Sequence, residues 1–144
     1  MILEDTMSFL RKNPPFQFLD EPALKKLAGN LSMEFYPRDT FILKQEGLPS
    51  DAVRIIKKGS VKIMMKAEGG MDAVIDYRGE GDTFGFLSLI GKDKQKTTVV
   101  AAEDTICYVL GKERVLKFIE ESPVLTEYFM SYLSRYVDRT YREM

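Results

Sequence analysis

Residues 79–105 read GEGDTFGFLSLIGKDKQKTTVVAAEDT, and this stretch decides the fold. The order is a turn, a short apolar helix beginning near Phe86, a loop carrying Lys92, Lys94 and Lys96, and a strand from Thr97. Gly79, Gly81 and Gly85 let the backbone bend and approach closely where a Cβ would block it. The first amides of a short helix have no partner within it and point at whatever precedes them, which suits an anion. The candidate ligand contacts are therefore Gly85 and the amides of Phe86, Leu87 and Ser88, with Thr97 and Thr98 as hydroxyl donors across the loop. The stretch lacks the long following helix of a dinucleotide fingerprint and the Gly-Lys-Ser/Thr ending of a P-loop.

Phe84-Gly85-Phe86-Leu87-Ser88-Leu89 followed by Gln95-Lys96-Thr97-Thr98-Val99-Val100-Ala101 resembles the phosphate-binding cassette of the cyclic-nucleotide-binding (catabolite activator protein-like) domain family. Its pattern there is roughly F-G-E-L-x-L, a variable turn, then R-x-x-x-V-x-A. Lys58-Gly59-Ser60-Val61 at a tight turn and Gly81-Asp82 before the helix extend the likeness over nearly the whole chain. The resemblance implies a ligand pocket in which a glutamate takes the ribose hydroxyl and an arginine forks onto the cyclic phosphate. Phe86 stands at the glutamate position. Either Gln95 or Lys96 stands at the arginine position, depending on the loop register, and lysine supplies a point charge without the planar fork. Ile63 and Ile75 align with positions that touch the base, and both also read as ordinary core. The wording of the cassette and of Asp104-Thr105-Ile106-Cys107-Tyr108 is most similar to a branch that joins such a domain to a CBS pair and a nucleotidyltransferase-like unit in bacterial signalling proteins.

Working outward, Asp20 is a good N-cap with Pro22 in the first turn, and Leu24, Leu27, Ala28 and Leu31 follow at helical spacing. Pro14-Pro15 ends an earlier helix over Met7–Lys12. From Met33 the period changes to two. Val61, Ile63 and Met65 alternate with Lys62 and Lys66, Glu68-Gly69-Gly70 turns the chain, and Ala73, Ile75 and Tyr77 are expected inside with Asp72 and Asp76 outside. Thr97–Ala102 and Thr105–Leu110 are apolar on both faces, as central strands are. The last third is helical: Lys112–Glu121 with Val115, Leu116 and Ile119 on one side, then a helix capped by Ser122 with Pro123 at its first position. The expected fold is α+β, an antiparallel, jelly-roll-like β-roll over 32–110, with N-terminal helices within 6–31 and C-terminal helices over 112–144.

A chain of 144 residues with 44% apolar and 30% charged residues is long enough for one domain with a real core. No apolar run approaches the ~18 residues of a membrane helix, so no membrane contact is expected. A net charge of −1 gives no electrostatic reason for direct nucleic-acid contact by this segment. Histidine is absent and Cys107 is the single cysteine, which removes imidazole and thiolate metal sites and histidine-based triads. No catalytic residue, metal or cofactor is expected, and Cys107 reads as a buried, inert thiol in a cytoplasmic protein.

The resemblance implies a regulatory ligand-sensing domain in bacterial signal transduction, with a pocket for a nucleotide or other small anion and an altered cassette. The resemblance implies a homodimer through the C-terminal helix and output domains fused downstream. Two other readings stay open: a genuine cAMP or cGMP receptor using Lys96, and a ligand-free structural dimerisation module.

Overall fold

The computed structural model describes residues 2–66, 69–86, 89 and 97–142, and for 132, 133 and 135–142 the backbone alone. The chain divides into a strand unit, Leu31–Lys112, and a helical unit, Ile2–Asn30 with Glu113–Met144.

In the strand unit, β1 (Ser32–Tyr36), β8 (Thr105–Gly111), β3 (Ala52–Lys58) and β6 (Thr83–Phe84) form one antiparallel sheet in that order. A second contains β2 (Phe41–Leu43), β7 (Thr98–Ala101), β4 (Val61–Lys66) and β5 (Asp72–Arg78). The expected β-roll is present, and the strands apolar on both faces, β7 and β8, each lie between two partners. Side chains of the two sheets meet in one cluster: Ile56, Phe84 and Cys107 from the first, Val61, Ile63 and Val99 from the second, with Tyr36, Ile42 and Leu43 against them. Excluding water from these side chains is the main favourable term in the unit, at about 1.5–3 kcal/mol for each fully buried large aliphatic.

The turn at Lys58-Gly59 closes this core. Gly59 has φ +98, and Thr105 lies against it, completely buried. The Thr105 hydroxyl accepts from Ser60 N (3.2 Å) and donates to the Ser60 carbonyl (3.0 Å).

Two features of the strands differ from the alternation expected. In β1 the apolar Met33 and Phe35 are exposed, while Glu34 and Tyr36 lie opposite Cys107 and Thr105 and so share their inner face. In β5 the expected phase is reversed: Tyr77 is 65% exposed and faces out with Lys62, Ile75 is 47% exposed, and Asp76 and Arg78 lie opposite the buried Ile63 and Val61. The physical reason is a register shift between Ile63 and Met64, which sets an extra residue of β5 against its partner and breaks the period of two. The inward Arg78 closes the next turn, its Nη1 donating to the Thr83 carbonyl at 2.8 Å, with Asp76 Oδ2 at 3.5 Å from Nε.

In the helical unit, α1 (Leu3–Arg11) begins a turn earlier than expected, with Glu4 and Asp5 complementing the positive end of the helix. It stops before the prolines, where Asn13 Nδ2 donates to the Phe9 carbonyl at 2.8 Å. In α2 (Glu21–Gly29), Leu24, Leu27 and Ala28 are buried as their spacing predicts. Asp20 Oδ1 accepts the Ala23 amide at 2.9 Å, so Asp20→Ala is expected to cost about 1 kcal/mol, read as a fall of about 3 °C in Tm. An unchanged melting curve would remove the cap from the account. In α3 (Lys112–Glu121) the buried face is Val115 and Phe118; Leu116, expected on it, is 43% exposed. The Lys26 ammonium sits 5.6 Å above the Phe118 ring and bonds Glu121 at 3.0 Å, joining α2 to α3. α4 (Pro123–Arg142) starts at Ser122, whose hydroxyl accepts the Leu125 amide at 3.3 Å, and buries Leu125 and Phe129.

Candidate functional site

Gly85 opens the candidate site in a conformation that a side chain would strain, φ +94. A Cβ there would lie 2.8 Å from the Ala52 carbonyl oxygen and 3.1 Å from Ser50 Oγ. Ser50 is itself buried, and its hydroxyl donates to the Ala52 carbonyl at 2.6 Å. The cassette thus starts seated on the end of the 44–51 loop, because only glycine allows the two backbones so close. From there the Leu89 amide donates to the Gly85 carbonyl at 3.2 Å.

Phe86 is 4% exposed, so the ring that the resemblance sets where a glutamate is expected is packed away from water. Leu87, Ser88, Gln95 and Lys96 lie outside the described residues. Thr98 begins β7 beside Met64, and its hydroxyl accepts the Gln45 amide at 2.9 Å. Gln45 Oε1 in turn accepts the Lys66 amide at 2.9 Å. Thr98 therefore ties the loop between β2 and β3 to the roll. Thr97, immediately before it, is partly exposed. Of the two expected wall residues, Ile63 is in the core and Ile75 is half exposed on the edge strand.

Sequence reasoning missed a charged group on the inner face of the first sheet. Arg54 lies opposite Phe84 and Val109, two residues from the core residue Ile56, and so points into the roll. Its Nε donates to the Tyr36 hydroxyl at 2.8 Å, Nη2 lies 3.6 Å from Glu34 Oε2, and the Tyr36 hydroxyl donates to the same carboxylate. The Arg54 side chain is 11% exposed, against 44% for Glu34. Its Nη1 is sealed from solvent with no acceptor among the described residues. Burial opposes charge on Arg54, but the bond to Tyr36 and the fields of Glu34 and Asp51 outweigh it and hold its pKa above the usual value. Tyr36 is pushed up to about 12, first by burial and then by its bond to Glu34. The available signal was a charge at position 54 inside Val53-Arg54-Ile55-Ile56, an otherwise aliphatic central strand.

Cys107 is fully buried, and burial pushes its thiol up to about 12, far from the thiolate that reacts. Among the described residues no three His, Cys, Asp or Glu side chains gather as metal ligands, and no helix is long and apolar enough to cross a membrane.

Residues 33–122 match the family model of the cyclic nucleotide-binding domain. Over 128 residues the chain is 30% identical to cGMP-dependent protein kinase, isozyme 1, of Drosophila melanogaster, covering 87% of this chain and 16% of the kinase. The chain thus spans about a sixth of that relative's length. In structure it resembles the Thermus thermophilus catabolite activator protein, with TM-score 0.79 and 24% identity, covering 89% of this chain and 60% of the other. It also resembles the regulatory subunit of a cAMP-independent protein kinase A from Trypanosoma brucei, with TM-score 0.72 and 24% identity, covering 91% and 51%.

Proposed function

Because this chain belongs to the cyclic nucleotide-binding domain family, we propose that it is a regulatory domain for a phosphate-bearing nucleotide, with a cassette that holds cAMP and cGMP weakly. The observation that carries this reading is the buried Phe86, an apolar ring where the family resemblance implies a carboxylate for the ribose hydroxyl. The second departure is Gln95 or Lys96 in place of a phosphate-binding arginine. A hydrogen bond to a charged group contributes about 1.5–3 kcal/mol, so losing both weakens cyclic-nucleotide binding by about two to four orders of magnitude. The backbone amides of the cassette need no particular side chain and remain available to an anion. The Trypanosoma brucei regulatory subunit that shares this fold belongs to a cAMP-independent protein kinase A, so the architecture is not tied to control by cAMP.

In this reading the domain belongs to a bacterial signalling protein and works in the cytoplasm. Ligand shifts the population between two placements of the C-terminal helices in proportion to its difference in affinity for them. A homodimer through α4 and output domains fused beyond it would carry the signal onward. The test is a thermal-shift and titration panel of cAMP, cGMP, AMP, GMP and ATP. At least one nucleotide is expected to raise Tm by a few degrees at millimolar concentration, with cAMP and cGMP weak. Tight, specific cAMP or cGMP binding would overturn the altered cassette, and no response to any nucleotide would overturn ligand sensing. That second outcome supports the other reading favoured by the buried Phe86, a structural dimerisation module whose pocket is filled by its own side chain.

A further inference from the structure

We infer that Arg54 is the cation through which the roll grips a phosphate oxygen of its ligand, an inference that rests on the nucleotide-binding reading above. The placement comes from β3. Ala52, Arg54 and Ile56 alternate along it, with Ile56 in the packed core and the Ala52 carbonyl against Gly85, where the cassette begins. Arg54 stands between the two, on the inner wall, opposite the cassette residue Phe84. The guanidinium is therefore supplied by a strand of the first sheet rather than by the 95–96 loop.

The bonding of Arg54 leaves it short of acceptors. A guanidinium carries five N–H donors. Nε has a good partner in Tyr36 at 2.8 Å. The 3.6 Å approach of Nη2 to Glu34 is an ion pair too long for a hydrogen bond, and Nη1 has no acceptor among the described residues. Nη1 therefore carries the desolvation cost of an unmade hydrogen bond, which an incoming acceptor would remove. A phosphate oxygen matches the planar fork and supplies the missing acceptor. Glu34, nearly half exposed, acts as the ligand-free counter-ion and turns to water when the phosphate takes its place. Asp51 adds a second negative field, so a singly charged phosphodiester is repelled less than a monoester, which is close to doubly charged at neutral pH.

The experiment is isothermal titration of the 144-residue chain with cAMP and with AMP, comparing Arg54→Met and Glu34→Gln with the unaltered protein. Arg54→Met is expected to weaken binding about ten- to hundredfold. Glu34→Gln removes the competing carboxylate and is expected to tighten binding by a factor of about three or more. Unaltered affinity in Arg54→Met sinks the inference alone. Should that variant not fold, unaltered or weaker affinity in Glu34→Gln sinks it equally. If the unaltered protein binds no nucleotide of the panel, the nucleotide-binding reading falls first and takes this one with it.

Discussion

Gly59→Ala is expected to destabilise the strand unit by about 3–5 kcal/mol, the sum of a strained backbone and a clash with an immovable neighbour. Gly59 has φ +98, and its added Cβ would lie 2.5 Å from Thr105 Oγ1, 2.6 Å from the Asp104 carbonyl oxygen and 2.8 Å from Thr105 Cα. None of these is the far end of a flexible side chain. Thr105 is fully buried and its hydroxyl is bonded to Ser60, so moving it exchanges one cost for another. At about 2–4 °C per kcal/mol the fall in Tm is about 10 °C. Gly79→Ala is the matched control, because a Cβ there meets nothing within 4 Å. It is expected to shift stability by less than about 1 kcal/mol. Equal melting temperatures for the two variants would show that the Gly59 turn yields more easily than its geometry implies.

The second large effect is at the cassette. Phe86→Glu restores the residue type that the family resemblance places there, yet it removes a ring that is 4% exposed and buries a carboxylate instead. The lost apolar contact and the uncompensated charge together are expected to cost more than about 4 kcal/mol at neutral pH, much of a small domain's stability. Desolvation raises the pKa of the introduced carboxyl in the folded state above its unfolded value. Protons are then bound more tightly by the folded chain, so the penalty is full above the folded pKa and shrinks as pH falls toward the ordinary glutamate range. Chemical denaturation at two pH values reads this directly. Saturating cAMP is expected to raise Tm of this variant more than that of the unaltered protein, because a ribose hydroxyl gives the carboxylate a donor. A variant as stable as the parent at pH 7, with no dependence on pH, would mean that the Phe86 position opens to water.

Much of the architecture was legible because it is written in local patterns. Leu24, Leu27 and Ala28 recur at helical spacing and are buried; Asp20 and Ser122 are caps and each accepts an amide. Thr97–Ala102 and Thr105–Leu110, without a polar face, supply β7 and β8, each a central strand of its sheet. The edge strands were misread, since their faces depend on register rather than on composition. A shift at Ile63/Met64 sends Tyr77 outward and brings Arg78 beside Val61, although the sequence of β5 suggests the reverse. Phe118 rather than Leu116 is buried for a related reason: both are apolar, and what packs against α3 chooses between them.

The candidate site divides in the same way. The positive φ of Gly85 and the burial of Phe86 belong to consecutive residues, so a local pattern is enough to single them out. Arg54, Tyr36 and Glu34 come from β3 and β1, which meet only because β8 lies between them. Nothing in the order of residues announces that a guanidinium, a phenol eighteen positions before it and a carboxylate twenty positions before it will share the inner wall of a roll. Turn chemistry, capping and hydrophobic period act over a few residues, so the chain itself determined the elements and their order. Cross-strand pairing acts over distances that sequence does not measure, and it alone decided which charges face inward.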